Sequence, residues 1–232
     1  MMQALIFDCD GVLVDTEKDG HRVAFNTAFE THGIDAHWGV REYHDLLQVA
    51  GGKERMRFYF DRNGWPEAEA ERDALIKDLH ATKSAAFQDL LRGGKMTLRP
   101  GVARLVDEAR AADMALAVCS TSKLESVQAC VDLLGPDRAN AFSFILAGDA
   151  VSRKKPDPEI YLTAAERLDL PASQCLVIED SEIGCRAATS AGMRCVVTTS
   201  AYTASESFEG AYRVVPELGD GANAVPLVEI AT

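Results

Sequence analysis

The chain has 232 residues, 47% of them apolar and 26% charged, with a formal net charge of −12. That length suits one large domain or a core with a smaller companion, and the apolar share is enough for a sizeable core. The longest basic cluster is Arg153, Lys154 and Lys155, far short of the basic stripe of a nucleic-acid binder, and no apolar run reaches the length of a membrane span; neither nucleic acid nor membrane is expected as a partner.

Ala4 to Phe7 is a short, fully apolar run that reads as a strand buried on both faces. It begins so close to Met1 that no signal or transit peptide is expected ahead of it. The expected location is cytoplasmic, or the plastid stroma if a transit peptide has been removed from a longer precursor. The strand ends in Asp8, Asp10 and Gly11. Residues two apart share a face of a regular strand, and two neighbouring carboxylates stay ionised only beside a cation. Hard oxygen ligands suit magnesium. The plainer alternative is an Asp-Gly turn with solvated acids.

From about Glu17 to Arg92 the pattern is helical, with no clear strand. Leu75, Ile76, Leu79, Ala86, Phe87, Leu90 and Leu91 mark one long amphipathic helix, and Gly93 and Gly94 follow as a junction. This segment reads as an insertion, giving a helical domain at 17–92 and a core at 1–16 and 93–232.

Beyond it, strands and helices alternate. Val102, Leu105, Val106 and Ala109 form one helix face after Pro100 and Gly101. Met114 to Cys119 is the next strand, ending in Ser120, Thr121 and Ser122 before a helix marked by Leu124, Val127, Val131 and Leu134. Hydroxyls at a helix start suit a phosphate, or are plain caps supplied by Ser120 or Ser122. A short strand at Phe144 to Leu146 leads to Lys154, Lys155, Pro156, Asp157 and Pro158, where a fixed lysine suits phosphate oxygens and a solvated charge run is the alternative. Pro158 opens a helix with Tyr161, Ala164, Ala165 and Leu168. Cys175 to Ile178 is a buried strand ending in Glu179, Asp180 and Ser181. These acids either join a magnesium shell or leave Asp180 as a helix cap. Ile183, Ala187 and Ala191 space the following helix, Gly192 ends it, and Cys195 to Val197 is another strand. The alternation predicts a doubly wound α/β parallel sheet. Its four polar strand ends share one sheet edge, where ligands bind in such folds. The six cysteines include no Cys-x-x-Cys pair and the five histidines no zinc spacing, so neither disulfides nor zinc are expected.

Taken together, Asp8, Asp10 and Gly11, Ser120, Lys155 and Pro156, and Glu179 and Asp180 resemble the four motifs of the haloacid dehalogenase superfamily. The resemblance covers nearly the whole chain, with the helical insertion similar to that family's cap domain. Gly51 to Arg55 and Val118 to Ser122 are most similar to its CbbY-type sugar phosphatases.

The resemblance implies Asp8 as nucleophile, forming an aspartyl-phosphate, and Asp10 as general acid and base. It implies Mg2+ held by the Asp8 carboxylate, the Asp10 backbone carbonyl and Asp180 with Glu179 nearby, and a phosphoryl group held by Ser120 and Lys155 beside Thr121 and Ser122. It places Glu17, His21, Tyr43, Gly52, Lys53 and Arg57 around the substrate: Glu17 and His21 toward sugar hydroxyls, Lys53 and Arg57 toward a second phosphate. Cap closure would exclude water, hinging at Asp15–Thr16 and at Arg92, Gly93 and Gly94. After Glu17, the run Lys18, Asp19, Gly20 and His21 is one residue longer than the bacterial pattern and closer to the plant one. The implied reaction is hydrolysis of a sugar phosphate or bisphosphate, xylulose 1,5-bisphosphate to xylulose 5-phosphate, which removes an inhibitor of Rubisco; the implied state is a monomer. The alternatives are a β-phosphoglucomutase-type phosphomutase, another sugar-phosphate phosphatase, and a non-catalytic binding module on the same fold.

Overall fold

The computed structural model describes residues 2–49, 51–93 and 96–232. Strand β1 spans Ala4–Phe7. A π-helical segment at Thr16–His21 then leads into α1 (Arg22–Thr31), α2 (Val40–Leu46), α3 (Gly52–Asn63) and the long α4 (Arg72–Arg92). After α5 (Val102–Ala111) come β2 (Ala115–Cys119), α6 (Leu124–Asp132), the short α7 (Pro136–Ala139) and β3 (Phe142–Leu146). They are followed by α8 (Glu159–Leu168), β4 (Cys175–Glu179), α9 (Glu182–Ser190), β5 (Arg194–Thr198), β6 (Arg213–Val215) and α10 (Leu227–Ala231). The chain forms two compact units, Met1–Asp15 with Thr97–Thr232, and Thr16–Met96. The sequence places these divisions at 16/17 and 92/93. Gly94, named there as part of a hinge, lies outside the described residues.

In the larger unit six parallel strands run in the order β3-β2-β1-β4-β5-β6. Connections from β1 travel toward β3, and those from β4 travel toward β6. The order therefore reverses between β1 and β4, and doubly wound sheets bind ligands at the carboxyl ends of such a switch point. Register fixes which residues meet there. Phe7 pairs with Val118 on one side and Ile178 on the other, so Asp8 lies between Cys119 and Glu179. All of β1 and β4 is buried, as central strands covered by helices on both faces must be.

Two details depart from the sequence reading. Of the face marked by Ile183, Ala187 and Ala191, both alanines are buried but Ile183 is 51% exposed; α9 buries Gly184, Cys185 and Ala188 beside Ala187. Small residues are needed because a Cβ at Gly184 would stand 2.1 Å from the Glu179 carboxylate carbon. Leu124 is likewise exposed at the start of α6, whose inner face is Val127, Cys130 and Val131. Strand β6 is an addition the sequence did not signal. It has three residues, and its central Val214 is exposed, so it lacks the apolar run that marked the other strands.

The smaller unit is helical and closes around aromatic rings. Trp38 stands 4.7 Å from Phe25 and 4.9 Å from Phe29, centroid to centroid. Rings at these separations contribute about 0.5–1.5 kcal/mol per pair beyond their buried area. Ile76, Leu79, Phe87 and Leu91 form the buried stripe of α4, while Leu75, Ala86 and Leu90 flank it half-buried.

Candidate active site

Asp8 follows β1 directly and is tied to β4 by its amide, which donates to the Ile178 carbonyl at 2.9 Å. Next comes a tight turn: Leu13 N–H donates to the Cys9 carbonyl at 2.9 Å, and Gly11 N–H to the Val14 carbonyl at 2.8 Å. Gly11 has φ 77°, and a Cβ there would stand 2.0 Å from Asp180 Oδ2. Only glycine both adopts that backbone and lets the turn lie against Asp180. Arg99 secures the turn, donating to the carbonyls of Gly11, Thr198, Thr199 and Pro216.

Lys155 sits at the centre of the site with its side chain 5% exposed. Its ammonium donates to Asp8 Oδ1 at 2.6 Å, Glu179 Oε1 at 2.7 Å and the Cys119 carbonyl at 2.9 Å. Burial opposes the charge, but Asp8 and Glu179 outweigh it and hold the lysine protonated well above its ordinary range. The alternative of a solvated charge run applies to Lys154, which is exposed and donates to loop carbonyls, not to Lys155. Ser120 is 1% exposed. Its hydroxyl donates to Asp10 Oδ2 at 3.3 Å and accepts from Ser122 N–H at 3.1 Å. Ser122 Oγ donates to the same Asp10 oxygen at 2.6 Å. Neither serine caps α6, whose N-cap is Lys123 without a side-chain bond. Asp180 is no cap either: Ser181 caps α9, accepting from Gly184 N–H. Thr121 is exposed beside this loop.

The acids crowd together. Carboxylate oxygens of Asp8, Glu179 and Asp180 all lie within 4.8 Å of one another, and all three residues are buried. Burial first, then Glu179 and Asp10, lifts Asp8 to about 8 despite Lys155. Burial, Asp8 and Glu179 lift Asp180 well above the carboxylate range. One lysine cannot neutralise three buried acids, and an oxygen-only donor set of this kind suits a hard divalent cation. The residues present therefore fit the metal that the fold implies.

The helical unit holds a second polar cluster. Tyr43 is fully buried; its hydroxyl donates to Glu17 Oε2 at 2.7 Å and accepts from Arg55 Nη1 at 3.0 Å. The Arg55 side chain also donates to the Leu46 carbonyl and stacks 5.2 Å from the Tyr43 ring. His21 Nδ1 meets Lys83 Nζ at 2.9 Å, and its ring lies 4.0 Å from Phe87. Burial, then Lys83 and Arg55, pushes His21 down to about 3, so it is neutral and accepts from the lysine. Burial also lowers Lys83 to about 8. The run from Lys18 to His21 is wound in a π-helix, a turn that takes up one more residue than an α-turn. Gly20 is required in it, since a Cβ would meet Phe87 at 2.7 Å. Gly52 opens α3 where a Cβ would press on Phe25 at 3.2 Å.

Two cations chosen from the sequence stand apart from this cluster. Lys53 is exposed, and Arg57 pairs with Asp73 at 2.5 Å on the surface. Arg55 and Lys83 occupy the cluster in their place, and sequence reasoning missed both. A signal for Lys83 existed: it falls on the apolar stripe of α4, four residues after Leu79 and four before Phe87, where a lysine is out of place.

Comparison with known proteins agrees with this geometry. The description of the haloacid dehalogenase-like hydrolases matches residues 2–192. A "CBBY-like protein" of Arabidopsis thaliana is 52% identical over 222 residues, spanning 94% of this chain and 69% of its own length. A solved structure of a mutant CbbY from Rhodobacter sphaeroides in complex with xylulose-(1,5)bisphosphate superposes with TM-score 0.78 and 37% identity over 100% of both chains. A putative beta-phosphoglucomutase from Thermotoga maritima superposes with TM-score 0.73 and 26% identity, covering 92% of this chain and 94% of its own. Among the described residues no helix is long and apolar enough to cross a membrane.

Proposed function

The chain belongs to the haloacid dehalogenase-like hydrolases, and from that premise we propose that it is a Mg2+-dependent sugar phosphatase acting on a pentulose bisphosphate, xylulose 1,5-bisphosphate, to release the 1-phosphate as inorganic phosphate. The observation that carries this reading is the contact of Lys155 with both Asp8 and Glu179 at the sheet's switch point.

Asp8 attacks phosphorus through a carboxylate oxygen, and the bond from phosphorus to the sugar oxygen breaks. Asp10, oriented by the Ser120 and Ser122 hydroxyls, gives the leaving oxygen its proton; it then takes one from a water that attacks phosphorus, and the bond from phosphorus to Asp8 breaks, freeing inorganic phosphate and restoring the carboxylate. Lys155 and Ser120 hold the phosphoryl oxygens, and Thr121 and Ser122 line the same loop. The Asp8 carboxylate, the Asp10 carbonyl and Asp180, with Glu179 beside them, would hold Mg2+, which would supply positive charge where the transition state gathers negative charge.

The helical unit reads the rest of the substrate. Glu17 and neutral His21 bind sugar hydroxyls, with Tyr43 fixing Glu17 and Gly52 leaving room at the start of α3. Lys83 and Arg55 bind the second phosphate. Lys53 serves as an outer cation from the surface, while Arg57 remains with Asp73. The physiological role is removal of a Rubisco inhibitor by a monomeric enzyme in the cytoplasm or, in a plastid-bearing cell, the stroma.

A screen of sugar mono- and bisphosphates for phosphate release tests this reading. The highest kcat/KM is expected for the pentulose bisphosphate. Formation of glucose 6-phosphate from β-glucose 1-phosphate, with little free phosphate, would replace it with the phosphomutase reading.

A further inference from the structure

The Glu179 carboxylate is 1% exposed, and both of its oxygens are held. Oε1 accepts from Lys155 Nζ at 2.7 Å and from the Tyr161 hydroxyl, and Oε2 accepts from the Asp180 amide at 3.2 Å. Gly184 presses on its other side, where even a Cβ would collide. Tyr161, on α8, is itself fully buried, and its ring lies 5.0 Å from the Lys155 ammonium. Facing a carboxylate that only accepts, the phenol hydroxyl is the donor. A phenylalanine would fill the same apolar space. What the hydroxyl adds is one directed proton to a buried carboxylate that has room for about four.

Lys155 makes the consequence reach the chemistry. Its ammonium donates to Asp8, Glu179 and the Cys119 carbonyl. If Glu179 turns, the ammonium loses one of three fixed directions, and Asp8 loses the alignment of its counter-ion. Asp180 is the next residue, and its amide donates to Glu179 Oε2, so a turn of Glu179 disturbs Asp180 as well.

We propose that Tyr161 is a positioning residue for the hydrolytic site: its hydroxyl fixes the Glu179 carboxylate, and through it both Lys155 and the acids that bind the cation. This deepens the phosphatase reading and rests on it only for the reaction assayed. Tyr161→Phe is expected to lower kcat for p-nitrophenyl phosphate at saturating Mg2+ about tenfold, the effect of one hydrogen bond to a charged group. KM should change less than about threefold, and the melting temperature should move by only a few degrees. The Mg2+ dissociation constant, measured by titration calorimetry without substrate, should rise at least about threefold. In a cycle with Glu179→Gln the Tyr161→Phe losses should largely vanish, because the hydroxyl acts through that carboxylate. Wild-type kcat and Mg2+ affinity in Tyr161→Phe would overturn the proposal, whatever the melting temperature does, and so would fully additive losses in the cycle. The Mg2+ titration involves no sugar, so an error in the substrate assignment leaves this test intact.

Discussion

The two polar clusters treat a lysine in opposite ways. In the sheet unit, Lys155 faces two carboxylates and a carbonyl, all delivered by strand ends whose register leaves no freedom. In the helical unit, Lys83 leans on a neutral imidazole between the rings of Phe25 and Phe87. The first lysine is held charged, while the second is lowered to about 8. A cation locked against acids holds the reacting groups in place. A cation set against a neutral partner keeps most of its attraction for an incoming anion. On the proposed function, the first lysine supports the chemistry and the second selects what is bound.

Lys155→Met should break this comparison most severely. It leaves Asp8 and Glu179 buried without their counter-ion, which costs about 3–5 kcal/mol in denaturant melts of the metal-free protein. Phosphate release should fall about 10²-fold or more. Lys83→Met should be milder and selective. KM for the sugar bisphosphate is expected to rise about tenfold, with kcat for a sugar monophosphate little changed. Equal KM effects on both substrates would remove Lys83 from the second-phosphate role.

Acidity sharpens the same contrast. Lys83 is charged below about pH 8 and neutral above it. Glu17 supports that charge, while Arg55 and burial oppose it. The bisphosphate KM should therefore be level near pH 7 and climb several-fold toward pH 9, whereas Lys83→Arg should stay level. A last effect is on folding, not on catalysis. His21 is held near 3 against an ordinary 6.5, so the folded form excludes a proton that the unfolded chain binds. Its share of stability is present above pH 6.5 and is lost as the pH falls toward 3. Chemical melts of wild type and His21→Gln should diverge at neutral pH and converge on acidification.

Much of the sheet unit was legible because its signals are local. Ala4–Phe7 and Cys175–Ile178 are apolar runs closed by acids, and a parallel sheet then has one edge at which to gather Asp8, Lys155, Glu179 and Asp180. Strand β6 was not legible, since Val214 faces solvent and only the neighbouring β5 defines it. The helical unit hides its site better. Helix positions bring together residues 62 apart, as with His21 and Lys83, or 12 apart, as with Tyr43 and Arg55, and no local pattern announces such pairs. Lys53 and Arg57 looked right beside Gly51 and Gly52, but the turn of α3 leaves Lys53 in solvent and sends Arg57 to Asp73. Tyr161 was seen only as a helix-face residue, because its hydroxyl has meaning only once Glu179 is beside it.

The measurement closest to the centre of this account is phosphate release from a sugar bisphosphate by wild type and Asp8→Asn, each with Mg2+ and with a chelator. Release is expected from wild type with Mg2+, with a loss of about 10⁴-fold in Asp8→Asn and a comparable loss in chelator. Equal release by the two proteins, or release by wild type that is indifferent to the chelator, would contradict it.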